Sequence, residues 1–297
     1  PEYFLAFHGA AMAGGTVTTI NPSYGPAEVR HQLEDSGASS LVTIPMFIET
    51  ARSACEGTSV ETIWVIGDAP DGTLPFSALM QAAPIAEQAD VDVREDVMVL
   101  PYSSGTTGLP KGVMLTHYNL VANIVQTEPV LEVEAGKERV IAVLPFFHIY
   151  GMQVLMNAVI ARGGTVVTMP RFDLEQFLTL VQDQKITIAY LVPPIVLALA
   201  KHPMVDQFDL SSLKLIFSGA APLGAEVALE AAGRVGCDVV QGYGMTELSP
   251  VTHSTPRGQF KPGSIGLTIS NTEVPWPVPR FHACAPLSSP SRRSAAT

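Results

Sequence analysis

Charge is scarce in this chain, and positive charge scarcer still. Only 15% of its 297 residues are Asp, Glu, Lys or Arg, and the 17 basic residues are outnumbered by 28 acidic ones, for a net charge of −11. Nonspecific nucleic-acid binding depends on Lys and Arg, so this balance argues against it, and against anionic membrane surfaces as well. Cysteine is almost absent. Cys55, Cys237 and Cys284 are odd in number and far apart, with neither a disulfide framework nor metal-ligand spacing. A reducing, cytoplasmic compartment is the simplest expectation. No basic stretch followed by an apolar core opens the chain, so no signal peptide is expected. The longest apolar run, 186–200, is too short to cross a bilayer and contains Pro193-Pro194. What is present is core-forming material. Hydrophobic residues make up 47%, and a chain of this length can bury about 75% of its unfolded surface.

Short β-branched runs alternate with helix-like segments. Strands are expected at 16–20, 41–44, 62–66, 97–100, 140–144, 165–169, 186–192, 213–217 and 238–241. Helices are expected at 26–36, 46–55, 113–125, 152–162, 174–184, 194–201 and 225–235, with Pro26 in a first turn and Gly37 just past an end. Such alternation implies an α/β fold of mostly parallel sheets covered by helices. The stretch 68–92, rich in Ala, Pro and Asp, reads as a connector. Composition shifts after Glu273: residues 274–297 contain no acid and five prolines. We expect one domain over 1–273 and a disordered or aberrant tail over 274–297.

The most informative segment is Tyr102-Ser103-Ser104-Gly105-Thr106-Thr107-Gly108-Leu109-Pro110-Lys111-Gly112. Gly105 and Gly108 can take φ > 0 and bring the backbone close to a ligand. Successive backbone N–H groups then form an anion-binding concavity. The Ser and Thr hydroxyls add donors, and Lys111 adds a mobile point charge suited to phosphate. It is not a Walker A loop, which needs Gly-Lys-Ser/Thr after the spacer. Alone, a Ser/Thr/Gly run is more often an ordinary surface loop; the strand-like residues before it and the helix-like ones after it make it specific.

Three further motifs follow in order. They are Leu144-Pro145-Phe146-Phe147-His148-Ile149-Tyr150-Gly151, Ser218-Gly219-Ala220-Ala221-Pro222-Leu223-Gly224 and Gln241-Gly242-Tyr243-Gly244-Met245-Thr246-Glu247. With the loop, they resemble the signatures of the adenylate-forming superfamily, which includes acyl-CoA ligases, firefly luciferase and nonribosomal-peptide adenylation domains. The wording is closest to the 4-coumarate–CoA ligases. The resemblance covers 1–273 and implies the large N-terminal core of such an enzyme, incomplete and without the small C-terminal lid domain.

The resemblance implies a two-step reaction. A carboxylate attacks the α-phosphate of ATP, pyrophosphate leaves, and the acyl-adenylate passes to the thiol of CoA. By the same resemblance Ser103, Ser104, Gly105, Thr106, Thr107 and Lys111 hold the β- and γ-phosphates. Thr246 and Glu247 serve the α-phosphate and Mg²⁺, a hard cation that prefers oxygen ligands. Ala220, Ala221 and Pro222, with Gln241, Gly242 and Tyr243, form the adenine wall. His148 stands where the acyl carboxylate meets the α-phosphate and has a positioning role. His117 supports the helix after the loop, whereas His8, His31, His202, His253 and His282 have no evident partner. The acyl pocket draws on Tyr150, Val154, Ala220, Gly242, Gly244, Pro250 and Val251. Plant coumarate ligases tend to carry a small polar residue where Val154 stands, so unsubstituted cinnamate or a medium-chain fatty acid fits as well as a hydroxycinnamate. Arg171 is either a surface arginine ahead of a helix or a contact to the CoA nucleotide.

Some expected parts are absent. No Tyr-x-x-Thr-Gly-Asp segment, whose aspartate binds ribose in the family, occurs here, and neither the hinge motif nor the lid lysine follows Glu273. Impaired activity is therefore expected. Two other readings stay open: acid adenylation for loading a carrier protein, and a catalytically silent nucleotide-binding fragment.

Overall fold

The computed structural model describes residues 1–274 apart from 86, 104–108, 132, 257, 260 and 262. Ser104, Gly105, Thr106 and Thr107, the 275–297 part of the tail and His282 thus lie outside the described residues.

The chain opens with α1 (Glu2–Met12) and β1 (Val17–Thr19). Helix α2 (Pro26–Ser36) leads to β2 (Ser40–Thr43), α3 (Ile48–Cys55), β3 (Thr62–Val65), β4 (Leu74–Pro75) and α4 (Ser77–Gln81). Strand β5 (Val97–Ser103) is followed by β6 (Lys111–Gly112), β7 (Leu115–Thr116) and α5 (His117–Leu131). After β8 (Arg139–Ala142), a π-helix (Tyr150–Asn157) runs into α6 (Ala158–Ala161). Then come β9 (Thr165–Thr168), α7 (Leu174–Asp183), β10 (Ile188–Leu191), α8 (Pro193–Lys201), β11 (Leu215–Ser218), α9 (Ala225–Val235), β12 (Asp238–Gly244), β13 (Val251–Ser254) and β14 (Leu267–Thr268).

Three expectations need correction. The helix expected at 113–125 begins at His117, because the residues before it fold back as strands: Gly112 pairs with Tyr102 and Leu115 with Val99. Thr116 and Asn119 then cap the helix reciprocally, each side chain accepting the other's backbone N–H at 2.9 and 3.2 Å. The connector at 68–92 contains β4 and α4. The helix expected at 152–162 is a π-helix for its first part, and all eight residues of that part are buried. Wide turns of this kind are rare and cluster at functional sites.

The π-helix also corrects the reading of His8. Its Nε2 lies 3.1 Å from Asn157 Oδ1; Asn157 Nδ2 donates to Gln153 Oε1 at 3.0 Å, and Gln153 Nε2 donates to Leu120 O at 2.6 Å. This polar chain joins α1, the π-helix and α5. His202 and His253 also have partners: His202 Nδ1 accepts the Met204 N–H, and His253 Nδ1 lies 3.0 Å from the Thr252 hydroxyl oxygen.

Seven strands form the main sheet in the order β14-β13-β12-β11-β10-β8-β9. It is parallel from β9 to β12 and antiparallel at β13 and β14. A second sheet joins β1, β5, β6 and β7, and a third joins β2, β3 and β4 in parallel. Strands β10 and β11 are buried throughout, as expected where helices cover both faces of a parallel sheet. Alternate residues face opposite ways. Ile141, Ala189, Leu191, Ile216 and Val239 pack on α7, α8 and α9 through Phe177, Leu199 and Ala228. Val140, Ile188, Tyr190, Phe217 and Val240 pack on Leu131, Val154 and Leu155. The π-helix turns Met152 and Met156 the other way, against Phe7, Val99 and Leu115. It is therefore the layer between the two larger sheets. Each Val, Leu, Ile, Phe or Met among them stabilises the fold by about 1.5–3 kcal/mol on full burial.

Candidate functional site

Strands β1 and β5 run parallel, and their C-terminal ends open into a cavity of about 400 Å³. The ends of β11 and β12 border the same cavity, through Gly219, Ala220 and 242–244. Ligand sites of open α/β sheets lie beyond the carboxyl ends of parallel strands. The wall is assembled from distant parts of the chain: Ser103, His148, Ala220, and Gly242 through Glu247.

His148 is placed by the segment before it. Tyr3 donates its hydroxyl to Phe146 O at 3.1 Å, and Thr19 donates to Phe147 O at 2.8 Å. The Tyr150 N–H donates to His148 Nδ1 at 3.2 Å. A neutral ring whose Nδ1 accepts carries its proton on Nε2, so the ring offers an N–H donor. Desolvation by the surrounding protein holds the His148 pKa below the usual histidine value, which favours that neutral form. Tyr150 is a strut. It is buried, donates its hydroxyl to Phe217 O at 3.2 Å and, more weakly, to Leu191 O at 3.4 Å, and offers the cavity only its ring.

Strand β12 supplies the opposite wall. Gly242 lies so close to Phe217 that a Cβ would come 2.3 Å from its ring, and at Gly244 a Cβ would come 2.4 Å from Pro250 O. These glycines allow the cavity floor to form. Tyr243, 47% exposed, presents an aromatic face and meets the His253 ring edge-on, with centroids 6.1 Å apart. Ala220 has φ +67°, a left-handed conformation uncommon for a residue with a side chain. Such strain concentrates at functional sites. Glu247, in a single turn (Thr246–Leu248), accepts the Ser103 hydroxyl at 3.1 Å through Oε1. That bond ties the end of β5 to the turn after β12.

Several expected residues stand apart from the described wall. Lys111 is exposed and pairs with Ser103 at the far stem of the loop. Ala221 and Pro222 are exposed beyond Ala220. Gln241 is buried behind the wall, where its Oε1 accepts the Leu223 N–H at 2.9 Å. Val154 is 1% exposed within the core, one layer behind Tyr150. Arg171 is exposed between β9 and α7. Conversely, Asn21, Tyr24 and Phe217 line the cavity without having been singled out, as does Tyr102, which opens the loop segment but was given no role. A signal for the first two existed: Asn21-Pro22-Ser23-Tyr24-Gly25-Pro26 is a turn cluster directly after a strand. Tyr102 donates its hydroxyl to Asp35 Oδ2 at 2.6 Å, and desolvation, with help from that carboxylate, raises its pKa.

The described wall contains no Lys or Arg; its one full charge is Glu247. A polyanion at this wall would meet N–H and hydroxyl donors and no fixed positive charge among the described residues. Among the described residues no group of three His, Cys, Asp or Glu could hold a metal. An exposed carboxylate beside a hydroxyl nevertheless suits Mg²⁺, which uses one or two carboxylates together with substrate phosphates. No described helix is long and apolar enough to cross a membrane.

Known proteins are similar to this chain in fold and sequence. A 4-coumarate–CoA ligase of Petroselinum crispum is 41% identical over 96% of this chain, and the chain spans about half of it, 54%. Among solved structures, an anthranilate CoA ligase in complex with anthranoyl-AMP superposes with a TM-score of 0.82 at 29% identity, covering 91% of this chain and 53% of that one. ATP-bound MatB from Rhodopseudomonas palustris gives 0.79 at 26% identity, covering 90% and 52%. The AMP-binding enzyme profile matches residues 1–275, and the chain belongs to that family.

Proposed function

We propose that this chain carries the acid- and nucleotide-binding core of an ATP-dependent, AMP-forming acid–CoA ligase. The observation that carries the reading is the single cavity that draws together residues from all four sequence motifs. Its volume lies in the range of small-ligand sites, about 300–1,000 Å³.

In this reading a carboxylate oxygen of the acid attacks the α-phosphorus of ATP. The new C–O–P linkage forms as the bond to the β-phosphate oxygen breaks, and pyrophosphate leaves. The thiol of CoA then attacks the acyl carbonyl and AMP departs. Anions are brought together in the first step, so charge stabilisation dominates. His148 donates from Nε2 and orients the carboxylate against the phosphate. Ser103 and Lys111, with 104–107, hold the terminal phosphates, and Thr246 holds the α-phosphate. Tyr243 gives the purine a flat face, and Ala220 with its neighbours Ala221 and Pro222 closes that side. Glu247 would hold Mg²⁺, which when bound offsets phosphate charge. The acyl group lies along Tyr150, Gly242, Gly244, Pro250 and Val251, whose apolar surfaces suit a cinnamate-like ring or a medium-length chain. Arg171 meets the CoA nucleotide.

The test is calorimetry on the chain with ATP and with cinnamate, alongside acid-dependent pyrophosphate release in the presence of Mg²⁺. Lys111→Ala is expected to weaken ATP binding more than cinnamate binding. Unchanged ATP affinity in that variant removes the phosphate role, and a wild-type chain that binds neither ligand sinks the reading.

A further inference from the structure

The turn 21–24 has no part in the four motifs, yet it forms one side of the cavity. Asn21 lies just past the end of β1, as Tyr102 and Ser103 lie at the end of β5, and the two strands are parallel neighbours with Thr19 opposite Pro101. Thr19 also bonds Phe147 O, one residue before His148. Asn21 and His148 both line the cavity, and the Thr19 bond links the segments that carry them.

The hydrogen bonds decide which end of the Asn21 amide is free. Its Oδ1 accepts from the Ser23 N–H at 3.0 Å and from the Ser23 hydroxyl at 2.8 Å. The NH₂ group is therefore the unused end, and it has no partner among the described residues. The Tyr24 N–H donates to Asn21 O at 3.0 Å and closes the turn. His148 shows the same logic: Nδ1 is occupied by the Tyr150 N–H, and Nε2 is a donor with no partner among the described residues. Both side chains use their acceptors internally and leave only N–H groups for a ligand. On a described wall without Lys or Arg, two such donors suit an anionic oxygen, the stronger acceptor.

We infer that Asn21 is a substrate-contacting residue that pairs with His148 to bind an anionic oxygen, either of the acid's carboxylate or of the nucleotide's phosphates. The inference rests on the acid-activation reading and adds a residue to it. Asn21→Asp is the informative variant. The carboxylate keeps both bonds to Ser23 and so keeps the turn, while the donor is replaced by an anion.

Calorimetry on the full chain compares cinnamate with cinnamyl alcohol, and ATP with adenosine. Asn21→Asp is expected to weaken one anionic ligand by about tenfold to a hundredfold, the worth of a hydrogen bond to a charged group, with its neutral analogue unaffected. The ligand pair that responds identifies the source of the oxygen. Asn21→Ala should move the same ligand in the same direction. Wild-type affinity for both anions in Asn21→Asp overturns the inference and leaves the acid-activation reading standing. Loss of binding in Asn21→Ala alone also overturns it, since only the turn would then matter. A wild-type chain that binds none of the four ligands removes the reading and the inference together.

Discussion

Asn123 holds both backbone groups of Val251: its Nδ2 donates to Val251 O at 2.8 Å, and its Oδ1 accepts the Val251 N–H at 3.3 Å. This buried pair, with Asn123 only 3% exposed, joins α5 to the first residue of β13, which also lines the cavity. Helix α5 itself follows the strands β6 and β7 that fold back on β5, so one side chain links two walls of the site. Asn123→Ala would leave a buried donor and a buried acceptor without partners, and we expect a loss of about 2–4 kcal/mol. Urea denaturation measures it. A change below about 0.5 kcal/mol, the level of a neutral surface substitution, would show that the pair carries no load.

Gly242→Ala tests the packing of the cavity floor. The added methyl would sit 2.3 Å from Phe217 Cζ and 2.8 Å from His253 O. The carbonyl is fixed in the β12–β13 pairing, so the Phe217 ring must move, and the cavity beside it is the space available. Overpacking of this kind costs about 1–3 kcal/mol. Acid affinity should fall in the same variant while ATP affinity falls less. Equal losses for both ligands would count against a specific effect on the acyl end.

Burial depresses the pKa of His8, His148 and His253, with a smaller opposing effect of Asn157 on His8. In the unfolded chain these groups protonate near pH 6.5, and in the folded chain only at lower pH. Between those values the unfolded state binds more protons, so stability rises with pH through the window and is lost as pH falls below about 6.5. Denaturation midpoints at steps from pH 7.5 downward should show that decline, and His253→Asn should reduce its slope. An unchanged slope in that variant would remove His253 from the account.

Much of this was legible in the sequence because local rules and tertiary packing agreed. The helices at 26–36 and 225–235 kept their expected bounds, set by a Pro26 first turn and by glycines just past their ends. The parallel strands were visible as apolar runs. What escaped depended on long-range contacts. The π-helix has the composition of an α-helix and differs in its backbone hydrogen bonding, while the buried links from Gln153 and Asn157 to α5 and α1 are long-range. Residues 113–116 read as the start of a helix because the pairing of β6 and β7 with β5 lies outside any local window. In the site, His148 and Glu247 stood out through their motifs. Asn21 reaches the cavity through strand adjacency, which no motif encodes. Val154, expected from the family resemblance, and Gln241, expected from its motif, show the converse, since neither signal says which side of a strand or helix faces the cavity.

The Ser103–Glu247 bond leads to the last prediction. It spans the gap between the end of β5 and the turn after β12, at 3.1 Å, and uses only one carboxylate oxygen. Among the described residues the other oxygen has no hydrogen-bond partner, which leaves room for a cation carried in with phosphate. Glu247→Gln retains an acceptor for Ser103 and removes the negative charge. ATP affinity measured with and without Mg²⁺ separates the two functions. The variant should bind metal-free ATP at least as well as the wild type, because repulsion is relieved, and should lose most of the gain that Mg²⁺ gives. If Mg²⁺ strengthens ATP binding equally in both proteins, Glu247 serves only to tie the two strand ends together.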